Sequence, residues 1–259
     1  MDLGITNKRA LVMGGSQGIG RAIALSLAGE GAAVTVVARD ATKLGAVVAE
    51  LQALGATADM QVIDVGDAQQ RDALCQLVAG GRYDILVANA GGPPPGTVPG
   101  IAEDVWQSHF DMMVKGMIAV IESALPHMQS AGWGRIAVVS SSGIQIPIPK
   151  LAISNTLRSA LAAYAKSLAE QVAADGVTVN LLLPGRVDTD RVKAIDAGAA
   201  KAADITPQEA RTRSIATIPA ARYGDPREFG DVAAFICSER ASYVTGSQIR
   251  IDGGLIRAL

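Results

Sequence analysis

One stretch, Gly14-Gly15-Ser16-Gln17-Gly18-Ile19-Gly20, constrains this chain more than any other. It follows the apolar run Ala10-Leu11-Val12-Met13 and opens a helical pattern running from Arg21 to Gly29. A strand, a glycine loop and a helix in that order let the backbone turn tightly, and they present peptide N–H groups backed by the positive end of the helix. Such a turn suits a pyrophosphate. Taken alone it is explained equally well as a tight structural turn, because its spacing is G-x-x-x-G-x-G and not G-x-G-x-x-G.

Strand and helix patterns alternate along the whole chain. Strands are predicted at 8–13, 33–38, 57–63, 83–88, 135–140, 177–183 and 248–251. Helices are predicted at 18–29, 41–54, 67–79, 101–129, 151–174 and 227–238, with a poorly patterned helical segment at 188–214. This order predicts a single α/β domain over 1–259: a doubly wound, seven-stranded parallel sheet with helices on both faces. Hydrophobic residues make up 49% of the chain and aromatic ones 3%, so the core must be aliphatic, as parallel strands buried on both faces require. In such sheets the ligand crevice lies beyond the carboxyl ends of the strands.

The same composition narrows the function. A net charge of −2 without a basic block gives no electrostatic footprint for nucleic acid. No apolar run reaches membrane-spanning length, and Met1-Asp2-Leu3-Gly4 does not read as a signal peptide. Cys75 and Cys237 read as two buried free thiols, so a reducing cytoplasm is expected. With two histidines and no Cys/His cluster, no metal site is expected; His127, after Pro126, is expected at the surface.

The strand ends carry further signals. Arg39 closes the second strand, where a carboxylate would accept from the adenosine ribose; a guanidinium there pairs with a 2′-phosphate and favours NADP over NAD. Asp40 follows and keeps NAD open. Asp64, before Val65, suits either the adenine amino group or a turn ahead of the Asp67 helix cap. In Asn89-Ala90-Gly91-Gly92, small residues let the backbone approach a cofactor, and Asn89 can brace neighbouring loops. The proline-rich Gly92–Gly96 reads as a fixed rim, and 188–214 as a substrate lid.

Taken together, Gly14–Gly20, Asn89-Ala90-Gly91, Pro184-Gly185, Thr245-Gly246 and Asp252-Gly253-Gly254 resemble, in order and spacing, the short-chain dehydrogenase/reductase family over essentially the whole chain. The resemblance implies a Rossmann-type fold, a nicotinamide cofactor, hydride exchange with a carbonyl or alcohol, and a homotetramer. It also implies that Gly14, Ser16, Gln17, Gly18, Ile19 and Gly20 hold the pyrophosphate and that Arg39 faces the adenosine ribose. Asp64 and Val65 would meet the adenine, and Asn89, Ala90 and Gly91 the ribose region. Pro184, Gly185, Val187 and Thr189 would surround the nicotinamide carboxamide.

The catalytic pattern of that family breaks here. It rests on Tyr-x-x-x-Lys, a Ser thirteen residues before the Tyr, and an Asn on the preceding helix; this chain contains no Tyr-x-x-x-Lys. Alignment through Arg158-Ser159-Ala160-Leu161 puts Ser154 at the Tyr position and Arg158 at the Lys position. Ser141 then keeps the Ser position and Met113 takes that of the Asn. A phenol of pKa about 10 can be tuned by a nearby cation to trade protons near neutrality, whereas an aliphatic hydroxyl is far too weak an acid. Arg158 stays charged but can hold ribose hydroxyls, and it shares a helix face with Ser154. A water held by Ser141, Ser154 and Arg158 is one route for the proton. Lys150, Asp188, Asp190 and Arg191 lie nearby and read as solvated.

Three functions follow from these residues: an NADP(H)-linked oxidoreductase with a rearranged relay, a nicotinamide-nucleotide-binding protein without redox turnover (a sensor or structural role), and a non-redox lyase or dehalogenase. The intact glycine loop counts against the third. Ile144, Ile146, Ile148 and Leu151 suggest an apolar pocket wall, and Arg191 suits a carbonyl compound carrying an acidic group.

Overall fold

Alternate residues of the inner strands point to opposite layers, and this decides the architecture. On β1 (Arg9–Met13), Leu11 and Met13 join one apolar cluster while Ala10 and Val12 join another. β4 (Ile85–Ala88) and β5 (Gly134–Val139) divide in the same way: Leu86, Ala88, Ile136 and Val138 face one side, and Ile85, Val87, Ala137 and Val139 the other. Strands buried on both faces need helices on both faces. The computed structural model, which describes residues 1–258, has that arrangement.

The sheet runs in the order β3-β2-β1-β4-β5-β6-β7, every neighbouring pair parallel. Its remaining strands are β2 (Ala33–Ala38), β3 (Ala58–Val62), β6 (Val177–Pro184) and β7 (Gln248–Ile251). On one face lie α1 (Gly18–Gly29), α2 (Ala41–Ala53) and, late in the chain, α9 (Pro226–Ile236), which packs closely on α1. On the other lie α3 (Ala68–Gly81), α5 (Gly116–Ala131) and α6 (Ala152–Val172). Strand order reverses between β1 and β4, which places a crevice at their carboxyl ends.

Four details depart from the expectations. The helix expected over 101–129 is α4 (Glu103–Phe110), a π-helical turn (Asp111–Lys115) and α5. The segment 188–214 is two helices, α7 (Asp190–Ala203) and α8 (Pro207–Ile215); Thr206 and Glu209 cap the second reciprocally. His127 is half-buried and lies 3.5 Å from Asp84, because the end of α5 reaches the amino edge of the sheet. Cys75 is half-exposed, one residue round α3 from the buried Leu74, while Cys237 is fully buried and its thiol is pushed up to about 12 by that burial. Among the described residues no helix is long and apolar enough to cross a membrane.

Candidate functional site

The glycine loop turns from β1 into α1. Gly14 has φ +61° and Gly18 φ +56°, the left-handed region that favours glycine. A β-carbon on Gly14 would lie 2.7 Å from the Asn89 Nδ2, and one on Gly20 would overlap the Gly14 carbonyl, so loop, helix and the end of β4 are packed without space for side chains. Gln17 stands at the N-cap of α1 in extended conformation, and no side chain caps the helix. By contrast Asp40 caps α2, accepting from the Lys43 N–H at 3.0 Å, and Asp67 caps α3. The first N–H groups of α1, with Ser16, Gln17, Gly18 and Ile19 around them, are therefore left for another acceptor.

The carboxyl end of β2 carries positive charge. Arg39 is largely exposed and lies 3.7 Å from Asp64. Asp64 accepts from the Gly66 N–H at 2.9 Å, so it makes the turn and faces Arg39 at once, with Val65 beside it in the core wall. Asp40 uses one carboxylate oxygen, Oδ1, as a helix cap. Lys43, not singled out from the sequence, donates from Nζ to the Gln17 Oε1 at 2.7 Å and so stands at the glycine loop. One signal was available: a lysine in the first turn of a helix opposes the macrodipole and needs a reason.

The opposite wall is built by the turn after β6. Gly185 donates its N–H to the Ile251 carbonyl at 2.9 Å, and a β-carbon there would strike Asp252, so Pro184-Gly185 is locked onto the C-terminal glycines. Val187 bridges to Gly224 and is buried. Thr189 rests its methyl against the Gly18 face. The two ends of the crevice thus meet, and Asn89, Ala90 and Gly91 lie between them; nothing lies within 4 Å of a β-carbon placed on Gly91.

Within this frame α6 delivers Ser154 and Arg158. Ser154 is buried, and its Oγ accepts from the Arg158 Nε at 3.2 Å. The guanidinium also donates to the Val139 carbonyl at 3.0 Å and the Ala90 carbonyl at 3.3 Å, tying the ends of β5 and β4 together. Burial, and the Arg191 charge after it, lower the Arg158 pKa to about 10, so the group remains a cation at neutral pH. Ser141 follows β5 and accepts from the Gly143 N–H at 3.0 Å, with no direct hydrogen bond to Ser154 or Arg158 among the described residues. Met113 sits on the π-helical turn and packs with Ile153 and Leu157 as apolar core.

Other candidate acids lie elsewhere. Tyr164 is pushed far up by burial and by Glu122, to which it donates at 3.3 Å. Tyr223 donates to both oxygens of the buried Asp196, at 2.9 and 3.0 Å, and burial raises its pKa. Asp188, expected to be solvated, is held below the usual carboxylate range by the hydrogen bond from Arg211 at 2.7 Å. The Arg211 guanidinium lies 4.4 Å over the Tyr223 ring, so α7, α8 and the chain after them are clasped together. Tyr223→Phe strands the Asp196 carboxylate and is expected to destabilise the protein by about 1–3 kcal/mol. Thermal unfolding and hydrogen exchange over 190–215 check this; an unchanged melt would show that the clasp contributes nothing.

The fold and this edge define a Rossmann-type protein whose loops gather round the strand-order reversal. A family model described as enoyl-(acyl carrier protein) reductase matches residues 14–256. Dehydrogenase/reductase SDR family member 4 of Oryctolagus cuniculus is 35% identical over 253 residues, covering 96% of this chain and 94% of the relative. The 3-oxoacyl-(acyl-carrier-protein) reductase FabG of Staphylococcus aureus is 33% identical over 251 residues, covering 96% and 98%. The L-sorbose reductase of Gluconobacter frateurii, solved with NADPH and L-sorbose, superposes with a TM-score of 0.94 at 31% identity over all of both chains. YwfH, an NADPH-dependent reductase involved in bacilysin biosynthesis, gives 0.93 at 30% identity over 98% of this chain and 100% of that one. The chain belongs to the short-chain dehydrogenase/reductase family.

Proposed function

We propose that this protein is an NADP(H)-dependent oxidoreductase acting on a small carbonyl or alcohol compound, with Ser154 and Arg158 in place of a Tyr-x-x-x-Lys pair. The observation that carries the cofactor assignment is the uncapped N-terminus of α1 behind a glycine cradle that tolerates no β-carbon at Gly14 or Gly20. The residues fit the group. The N–H groups from Ser16 to Gly20 would take the pyrophosphate, and Arg39 with Lys43 the 2′-phosphate. Asp64 and Val65 would lie at the adenine; Asn89, Ala90, Gly91 and Arg158 near the ribose; and Pro184, Gly185, Val187 and Thr189 at the carboxamide. Two relatives of similar fold are described as NADPH-dependent or were solved with NADPH. Bound there, the nicotinamide would give or accept a hydride.

The chain's own residues would manage the substrate oxygen. Because the Ser154 Oγ accepts from Arg158, its hydroxyl hydrogen is free to point outward. Ser154 O–H would hydrogen-bond to the substrate oxygen without giving up its proton, and a water held by Ser141, Ser154 and Arg158 would deliver the proton; Ser141 would orient the same oxygen. Arg158 contributes a fixed positive charge beside it. The reading without redox turnover has support of its own: three Arg158 N–H groups are already bound to protein acceptors, and Met113 is an apolar plug.

Fluorescence titration with NADPH and NADH, followed by turnover assays on ketones, aldehydes and quinones, separates these readings. Tight NADPH binding with turnover is the expected result. Absence of binding at near-millimolar cofactor overturns both, and binding without turnover leaves the second. Arg39→Asp is expected to reverse the preference for NADPH over NADH, by about tenfold or more; an unchanged ratio would remove Arg39 from the 2′-phosphate site. A homotetramer and a cytoplasmic location accompany this proposal on family grounds, and sedimentation of the purified chain tests the first.

A further inference from the structure

Two guanidinium groups converge on one point of the crevice. A β-carbon placed on Gly92 would lie 3.2 Å from the Arg191 Nη2 and 3.8 Å from the Arg158 Nη2. Arg191 arrives from the first turn of α7 and crosses the mouth to donate to the Pro93 carbonyl at 3.0 Å. Arg158 rises from α6 beneath it. Neither arginine takes part in any ion pair among the described residues. The two carboxylates nearest in sequence are turned away: Asp188 is bound by Arg211, and Asp190 lies 3.4 Å from Lys193.

Two facing cations repel, and a half-buried one has lost hydration that no carboxylate replaces. Of the five N–H donors on Arg158, three are spent on Ser154, Val139 and Ala90, leaving one on each terminal nitrogen. Arg191 spends one on Pro93. The unspent donors suit a planar oxyanion held between the two side chains. Gly92 keeps that space open, because a larger residue would fill it. The rim beside it is held in place, since Gly96 and Leu151 bridge the proline-rich loop to the start of α6.

We infer that Arg158 and Arg191 form a carboxylate clamp over Gly92, and that the substrate is an oxo acid, or the matching hydroxy acid, and not a neutral carbonyl compound. This rests on the proposed oxidoreductase reading and names the substrate class for the same site. An oxyanion there has two sources, a substrate carboxylate or a phosphate of the dinucleotide, and we assign the carboxylate because the α1 N-terminus already offers the phosphates a place.

Calorimetric titration of the full chain, with NADP+ bound, against 4-oxopentanoate and its methyl ester tests the assignment. The acid is expected to bind about tenfold or more tighter than the ester. Arg191→Ala is expected to remove most of that difference while the NADP+ dissociation constant stays within about twofold. Equal binding of acid and ester, or no binding of the acid, overturns the clamp. So does an Arg191→Ala variant that loses NADP+ and the acid together, which would make the oxyanion a cofactor phosphate. Failure of the wild type to bind NADPH overturns the proposed function instead, and the acid and ester are then compared without cofactor.

Discussion

Replacing Gly20 by alanine is expected to lower NADPH affinity by about a hundredfold or more while leaving the sheet assembled. The β-carbon would overlap the Gly14 carbonyl and stand 2.9 Å from the Asn89 Nδ2. Neither neighbour can yield cheaply: Gly14 is backbone at the turn itself, and Asn89 follows the buried strand β4. The loop must then move off α1, at about 1–3 kcal/mol for overpacking. Displacing it also misaligns the N–H groups assigned to the pyrophosphate, and charge-assisted hydrogen bonds of that kind contribute about 1.5–3 kcal/mol each. Losing two of them accounts for the expected fall. Gly29→Ala is the control, because it lies on the same helix with nothing within 4 Å of the added carbon. That variant is expected to bind NADPH normally and to gain up to about 1 kcal/mol of stability. Equal NADPH affinity in folded Gly20→Ala protein would refute the cradle.

Arg158→Met is expected to remove turnover, by about 10²–10³ in kcat/KM, with little change in stability. The two effects part company for a physical reason. The guanidinium gives three hydrogen bonds, to Ser154, Val139 and Ala90, whose loss leaves acceptors unpaired. Burial and the Arg191 charge disfavour the buried cation, however, so methionine also relieves a desolvation cost that opposes that loss. Function has no such compensation, since the fixed charge beside Ser154 disappears. Arg158→Lys is expected to recover little, because a single ammonium cannot span the Val139 and Ala90 carbonyls together. Thermal melts read alongside steady-state kinetics test this. Full activity in Arg158→Met would remove Arg158 from the site, and a melt lowered by several degrees would show that the hydrogen bonds outweigh desolvation.

Most of the fold was legible in the chain because parallel strands and their covering helices write their periods directly. The bounds of α1, β2 and β7 were read as they stand in the structure. The π-helical turn at 111–115 was not legible: Val114-Lys115-Gly116 continues an ordinary helical pattern, and the extra residue in the turn becomes visible only in the hydrogen bonding. The segment 188–214 was poorly patterned for a related reason. Its helices are tied by Arg211, Asp188, Tyr223 and Asp196, polar partners far apart in sequence that leave no apolar period.

The sequence by itself determined the Rossmann-type fold, the glycine turn between β1 and α1 and the family, because these depend on local order: strand, glycine turn, helix and apolar alternation. It also showed that the chain contains no Tyr-x-x-x-Lys. Only the tertiary structure decided what Arg158 touches and that Arg191 meets it over Gly92. It also decided that Asp40 caps α2 through one oxygen while Lys43 donates to Gln17. Those outcomes depend on side chains brought together from separate elements at the carboxyl edge of the sheet, and on which donors remain after neighbouring carbonyls have taken theirs. No spacing along one chain specifies such a count of donors and acceptors; it is settled where β4, β5, α6 and α7 meet.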